Sequence, residues 1–144
     1  MSARNGSAEW RGDLQNGTGT VTVGDGVFEG AYTFKSRFEE GEGTNPEQLI
    51  AAAHAACFSM ALSAALSEAG HPPERLDVTS TVTLDLVDGA PTVTTSKLTV
   101  RGRVPGIDQA EFERVANEAK AACPVSRALA GIPEMNLTAT LAGG

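Results

Sequence analysis

From Leu49 to Leu66 the chain carries no charged residue unless His54 takes a proton, and apolar side chains fall on every face of a helical wheel. Ahead of this run, Asn45 followed by Pro46 supplies a cap and a first-position proline. Glu47 and Gln48 stand three residues after the cap candidates Thr44 and Asn45. The pattern predicts one helix from Thr44 to Leu66 that needs cover on all sides, from a protein core or a subunit interface. A bilayer span is the rival reading, but the run is alanine-rich, marginal in length and holds His54, Ser59 and Ser63.

The polar and apolar positions on either side alternate as strands do. Ala8 and Trp10 alternate with polar neighbours, Asn16-Gly17 begins a turn, and Gly19 to Gly24 carries valines at 21 and 23. Asp25-Gly26 then turns the chain back into Val27 to Phe34. Ser36 to Gly43 is a polar connection containing Arg37 and the acidic residues Glu39, Glu40 and Glu42. Beyond the long helix, Gly70 and the prolines at 72 and 73 make a stop. Leu76, Val78, Val82, Leu84 and Leu86 share one parity, Asp88-Gly89 turns, and Thr92 to Val104 returns with Leu98, Val100 and Val104 inward. This hairpin has one apolar side for the long helix to cover.

Asp108, with Glu111 three residues later, opens a second helix whose apolar stripe runs through Phe112, Val115 or Ala116, Ala119, Ala122 and Cys123. Pro124 ends it and can start a further short turn over Val125 to Ala130, and Met135, Leu137, Ala139 and Leu141 alternate as a closing strand. The order β-β-β-α-β-β-α-α-β predicts an α+β fold, antiparallel sheets packed on a central buried helix. At 144 residues the whole chain, 1–144, is expected to be a single domain.

Composition narrows the function classes. Eighteen acidic against eleven basic residues give a net charge of -7, and the basic residues are scattered, which argues against a nucleic-acid surface. No apolar stretch follows a basic amino terminus, so no secretory signal is read and a cytoplasmic location, with no membrane partner, is the expectation. The two cysteines and two histidines match no compact zinc spacing, and His71 falls in a turn with Pro72 and Pro73. No metal and no cofactor is expected. The glycines near the amino terminus are turn and sheet residues and form no phosphate cradle.

The chemistry therefore rests on Cys57 and Cys123. A cysteine in the middle of an apolar helix is ordinarily a small hydrophobe. Here both cysteines lie on helices that must face one apolar sheet surface, so they can meet. Cys123 also precedes proline at the start of a helical segment, where free N–H groups favour a thiolate. Two such thiols are the minimum for reducing an oxidant through a disulfide. A thiolate that attacks a peroxide needs a cation held beside it, and Arg37 with Glu47 is the candidate pair. The plainer reading of Arg37 is a surface group paired with a neighbouring glutamate. For Glu47 it is a first-turn carboxylate worth less than about 1 kcal/mol. Glu47 and Cys57, ten residues apart on one straight helix, are separated by about 15 Å. If both serve one site, either Arg37 spans part of the gap or Glu47 comes from a symmetry-related chain. His54 is either a protease-like partner of Cys57 or a hydrogen-bonded core histidine, and the second reading is preferred because no oxyanion site accompanies it.

The run from Gly43 to Leu62, with Thr44-Asn45-Pro46-Glu47 and His54-Ala55-Ala56-Cys57-Phe58, together with Ala122-Cys123-Pro124-Val125-Ser126-Arg127, resembles the two cysteine motifs of the OsmC/Ohr family. These are the osmotically inducible and organic hydroperoxide resistance proteins. His54 and Phe58-Ser59-Met60-Ala61-Leu62 are more similar to the OsmC branch. The resemblance covers nearly the whole chain and implies a thiol-dependent hydroperoxidase, an intertwined homodimer with active sites at the subunit interface. By that likeness Cys57 attacks the peroxide, Cys123 captures the sulfenic acid as a disulfide, Arg37 stands by the thiolate and Glu47 holds Arg37. It also implies a dithiol reductant, lipoyl-type or thioredoxin-like. The apolar setting of the thiols favours an apolar hydroperoxide. The competing classes are a noncatalytic redox sensor or small-ligand binding dimer, and a structural domain with inert cysteines.

Overall fold

Three short strands, β1 (Gly6–Arg11), β2 (Thr18–Val23) and β3 (Phe28–Tyr32), form an antiparallel meander in that order. Gly24 and Gly26, at φ 62° and 102°, turn the chain between β2 and β3. Trp10 pairs with Gly19 and Gly19 with Tyr32. The Trp10 and Tyr32 rings close over that glycine with centroids 5.3 Å apart. A Cβ at Gly19 would stand 2.5 Å from the Tyr32 ring, so only glycine fits.

The segment expected to be a plain connection starts instead with a short helix, α1 (Phe34–Phe38). Five residues are too few for a helical period to show in the sequence. What builds the turn is a capping box, with Ser36 N–H donating to Thr33 Oγ1 at 3.1 Å and Thr33 N–H to Ser36 Oγ at 2.8 Å. Ser36 Oγ also donates to the Thr44 carbonyl, and Asn45 Nδ2 donates to the Ser36 carbonyl at 2.9 Å. These bonds fix α1 against the start of α2 (Pro46–Glu68). Asn45 caps α2 as its sequence predicts, accepting from Gln48 N–H at 2.8 Å.

The computed structural model describes residues 1–142. It divides into two compact units, one from Met1 to Leu49 and the other from Ile50 onward. In the second unit α2 ends in a Schellman turn: Gly70 sits at φ 88°, His71 N–H reaches the Leu66 carbonyl and Gly70 N–H that of Ser67. β4 (Arg75–Val87) and β5 (Ala90–Arg103) form the expected antiparallel hairpin, turned by Asp88 and Gly89, both at positive φ. Leu86 shares the inward parity, yet it is 68% exposed near the hairpin tip.

The last strand corrects the expectation of antiparallel sheets. β6 (Glu134–Leu141) lies parallel to β5, with Leu98 opposite Leu137 and Val100 opposite Ala139, so the second sheet is mixed, in the order β4-β5-β6. Parallel pairing needs a crossover, and α3 (Gln109–Ala122) with α4 (Pro124–Ala128) provides it. Alternation alone reports a face and not a direction.

The core of this unit joins Phe58, Leu62 and Leu66 of α2 to Leu98 and Val100 of β5 and to Phe112, Val115, Ala116 and Ala119 of α3. Gly102 on β5 leaves room for the Phe112 ring, which a Cβ would meet at 2.6 Å. Beyond its first turn, where Glu47 is buried, the buried positions of α2 are His54, Phe58, Leu62 and Leu66, one four-residue ridge. Ala52, Ala53, Ala56 and Ala64 are exposed, and Met60 is 75% exposed. Within one chain, this apolar helix is covered on one side only. Its mean hydropathy of 1.8 and its length match those of a membrane span, but its buried ridge is the centre of a protein core.

Candidate active site

The structure brings the four expected site residues together as two pairs, one in each unit. In the first unit, Arg37 on α1 meets Glu47 in the first turn of α2. Nη2 and Nε both donate to Glu47 Oε1, at 2.9 and 3.2 Å. The capping box that makes α1 a helix therefore also aims the guanidinium. Glu47 is almost wholly buried, while the Arg37 side chain keeps 36% of its surface open. Its Cζ lies 5.3 Å from the centre of the Phe38 ring, within cation–π range. Arg37 thus pairs with Glu47 and not with the glutamates that follow it in sequence. The α2 dipole adds to the preference for a carboxylate at this position. Beside the same helix start lies a cavity of about 110 Å³ lined by Val21, Tyr32, Pro46 and Leu49 among others.

In the second unit, α2 presents Cys57 to Cys123. Both thiols are free; Cys57 is half-buried and Cys123 has no exposed surface. Cys123 ends α3, donating its N–H to the Ala119 carbonyl at 2.8 Å, and it is the N-cap of α4, with Pro124 at the first helical position. The extended ψ of 123° that proline demands of its predecessor breaks the two helices apart there.

This placement sets the charges. Burial pushes the Cys57 thiol up; the Val125 N–H opposes this, and its contact with the Cys123 thiol raises it further. Burial also acts against a Cys123 thiolate, but the backbone N–H and hydroxyl of Ser126, the Cys57 thiol and the Val125 N–H outweigh it, and the Cys123 pKa falls below the ordinary thiol value. No capping hydrogen bond of ordinary geometry reaches the sulfur; these groups stand around it as a polarising set. The two thiols titrate as a pair, with burial working against a charge on either sulfur and the N–H groups at the start of α4 working for one.

His54 has no exposed surface. Its Nδ1 lies 2.7 Å from Ser96 Oγ and its Nε2 2.8 Å from Ser126 Oγ, and Ser96 Oγ lies 3.1 Å from Ser80 Oγ. Both ring nitrogens are engaged by serines, so it is a hydrogen-bonded core histidine and forms no protease-like pair with Cys57. Burial, and then the charge of Lys120, lower its pKa and keep it neutral. The three serines were not among the expected site residues. Their signal in the sequence is polarity at inward positions: Ser80 shares its parity with Val78 and Val82, and Ser96 with Leu98 and Val100. Among the described residues no group of three or more His, Cys, Asp or Glu side chains is arranged to hold a metal ion.

Comparison with known proteins agrees with this geometry. The family model described as OsmC-like protein matches residues 39–138. Peroxiredoxin OsmC of Escherichia coli (strain K12) is 50% identical over 127 residues, 88% of this chain and 89% of that protein. An organic hydroperoxide resistance protein of Xanthomonas axonopodis pv. citri is 37% identical over 99 residues, 68% of each. Among solved structures, OhrB of Bacillus subtilis superposes with a TM-score of 0.73 at 26% identity, covering 96% of this chain and 98% of that one. An organic hydroperoxide resistance protein OsmC from Legionella pneumophila gives 0.70 at 25%, covering 99% and 100%. Likeness in sequence and in the whole run of strands and helices, over nearly the full length, leaves one conclusion: the chain belongs to the OsmC/Ohr family.

Proposed function

We propose that Cys57 is the residue that attacks the hydroperoxide and that Cys123 resolves the product. The chain is a cysteine-based peroxidase. The observation that carries the division of labour is exposure: Cys57 is half-buried and keeps a surface for an incoming peroxide, whereas Cys123 has no accessible surface. The Cys57 thiolate attacks the outer peroxide oxygen, the O–O bond breaks, and the alkoxide leaves with a proton as an alcohol. The sulfur is then a sulfenic acid, oxidised by two electrons. Cys123 sulfur attacks Cys57 sulfur, an S–S bond forms, the S–O bond breaks, and hydroxide leaves with a proton as water. A dithiol, lipoyl-type or thioredoxin-like, returns both thiols by exchange and is itself oxidised to a disulfide.

Arg37, held by Glu47, supplies the cation this cycle needs. Burial disfavours a Cys57 thiolate, so an outside positive charge has to stabilise it. Ten residues of helix put Glu47 about 15 Å along α2 from Cys57, so Arg37 spans part of that distance or arrives from a second chain. The open alanines of α2 and the exposed Met60 support an intertwined homodimer with active sites at its interface. The apolar cavity beside Pro46 and Leu49 suits the organic part of an apolar hydroperoxide. The location is cytoplasmic, where thiols are kept reduced, and residues 1–144 act as one functional domain.

The test is dithiol-dependent consumption of an alkyl hydroperoxide. Cys57→Ser abolishes it, and Cys123→Ser leaves Cys57 accumulating as sulfenic or over-oxidised acid. Undiminished turnover in Cys57→Ser would remove Cys57 as nucleophile.

A further inference from the structure

A line of hydrogen bonds crosses the second unit from β4 to Ser126 of α4, in the turn that Cys123 begins. Ser80 Oγ and Ser96 Oγ are 3.1 Å apart, Ser96 Oγ and His54 Nδ1 2.7 Å, and His54 Nε2 and Ser126 Oγ 2.8 Å. Ser126 is the third residue of α4, whose N-cap is Cys123, so its side chain belongs to the same first turn as that sulfur. His54 and Ser96 have no exposed surface and Ser126 has 6%. Apolar side chains of the same size would fill this space without any need for partners, so a polar line here requires a reason.

Proton counting supplies one. Each hydroxyl has one proton to give, and a neutral imidazole gives at one nitrogen and accepts at the other. If Ser126 gives its proton to the Cys123 thiolate, its oxygen is free to accept from His54 Nε2–H. Nδ1 is then bare and accepts from Ser96, whose own oxygen accepts from Ser80. Every link is satisfied in one direction. When Cys123 is in a disulfide its sulfur is a weak acceptor, and the line is satisfied in reverse: Ser126 gives to Nε2, Nδ1–H gives to Ser96, and Ser96 gives to Ser80.

We propose that His54 is a positioning residue for Cys123, its ring proton on Nε2 when Cys123 is a thiolate and on Nδ1 when Cys123 is in the disulfide. Through Ser126 the neutral ring holds a hydroxyl proton on the resolving sulfur before the attack on the Cys57 sulfenic acid, and lets go once the S–S bond exists. The line's significance for turnover rests on the resolving role of Cys123; its existence does not. The charged and titratable groups around it are Cys57 of α2, Lys120 of α3, whose Nζ donates to the Met135 carbonyl at 2.9 Å, and Arg127 of α4. β4 and β5 face it with Ser80 and Ser96, and the exposed Lys97 and Arg101 alternate to the other side of β5.

Two measurements test this without relying on peroxidase activity. In a Cys57→Ser background, the thiolate absorbance of Cys123 is followed against pH. Adding Ser126→Ala moves the titration upward by roughly one pH unit, a tenfold loss of thiolate fraction below it, and Ser126→Thr, which keeps the hydroxyl, restores it. Nitrogen-15 NMR of the otherwise native protein then reads the His54 tautomer, reduced at a pH above the thiol titration and after oxidation with diamide, a disulfide-forming reagent. The expected result is Nε2–H reduced and Nδ1–H oxidised. An unmoved titration in Ser126→Ala, or one tautomer in both redox states, would overturn the proposal. A failure of peroxide to form the disulfide would instead count against the peroxidase cycle.

Discussion

Arg37 gives two hydrogen bonds to a single oxygen of Glu47, at 2.9 and 3.2 Å, from a helix only five residues long. The carboxylate is buried and the guanidinium is partly open, so the pair is built to hold a positive charge at a surface. Glu47→Gln keeps the shape and loses the charge. It should lower kcat/KM for an alkyl hydroperoxide by roughly tenfold or more, and Arg37→Met by about 10²-fold, the scale for losing one preorganised electrostatic partner. Arg37→Lys should not rescue, because an ammonium cannot reproduce the fork. Steady-state kinetics on the three variants checks this.

The raised Cys57 pKa gives the Arg37→Met variant a distinct pH dependence. The reactive form is the thiolate, so without the cation its rate should keep climbing as pH rises into the alkaline range. The native protein should level off at lower pH. A pH profile of kcat/KM for the two proteins makes the comparison.

His54 links pH to stability. Its folded pKa lies below the ordinary value of 6.5, so the unfolded chain binds its proton first. The stability from a neutral buried ring is fully present above about pH 6.5 and is lost as pH falls from there toward the folded pKa, at no more than about 1.4 kcal/mol per pH unit. Urea unfolding between neutral and mildly acid pH should show this slope, reduced in His54→Gln.

Met60 tests the uncovered side of α2. It is 75% exposed in one chain, so Met60→Lys should cost that chain little stability, within about 0.5 kcal/mol. In an obligate dimer the same lysine would be buried without a partner. Sedimentation should then find a folded, dissociated chain with diminished peroxidase turnover.

Much of this was legible in the sequence because the strongest signals are local. Asn45-Pro46 starts α2, Gly70 ends it, Asp88-Gly89 turns the hairpin and Asp108 caps α3, each by a bond between near neighbours in the chain. Long-range facts were less visible. The strict alternation of β6 looks the same whether it runs along β5 or against it, so its parallel direction had to come from the structure. α1 was hidden because one turn has no period, and Thr33 and Ser36 were its only advertisement. The serines around His54 come from β4, β5 and α4. Only their polarity on inward faces hinted that a buried ring needed them.

In the proposed cycle two thiols distant in sequence form one redox pair, and the half-buried Cys57 reacts before the buried Cys123. Mass spectrometry of the reduced protein after brief exposure to one equivalent of cumene hydroperoxide, with thiols trapped on quenching, reads both sulfurs at once. The expected result is a mass lower by two hydrogens and a cross-linked peptide pair holding Cys57 and Cys123, with Cys57→Ser unchanged in mass. An unmodified native protein, or oxygen added at Cys123 while Cys57 stays a free thiol, would contradict it.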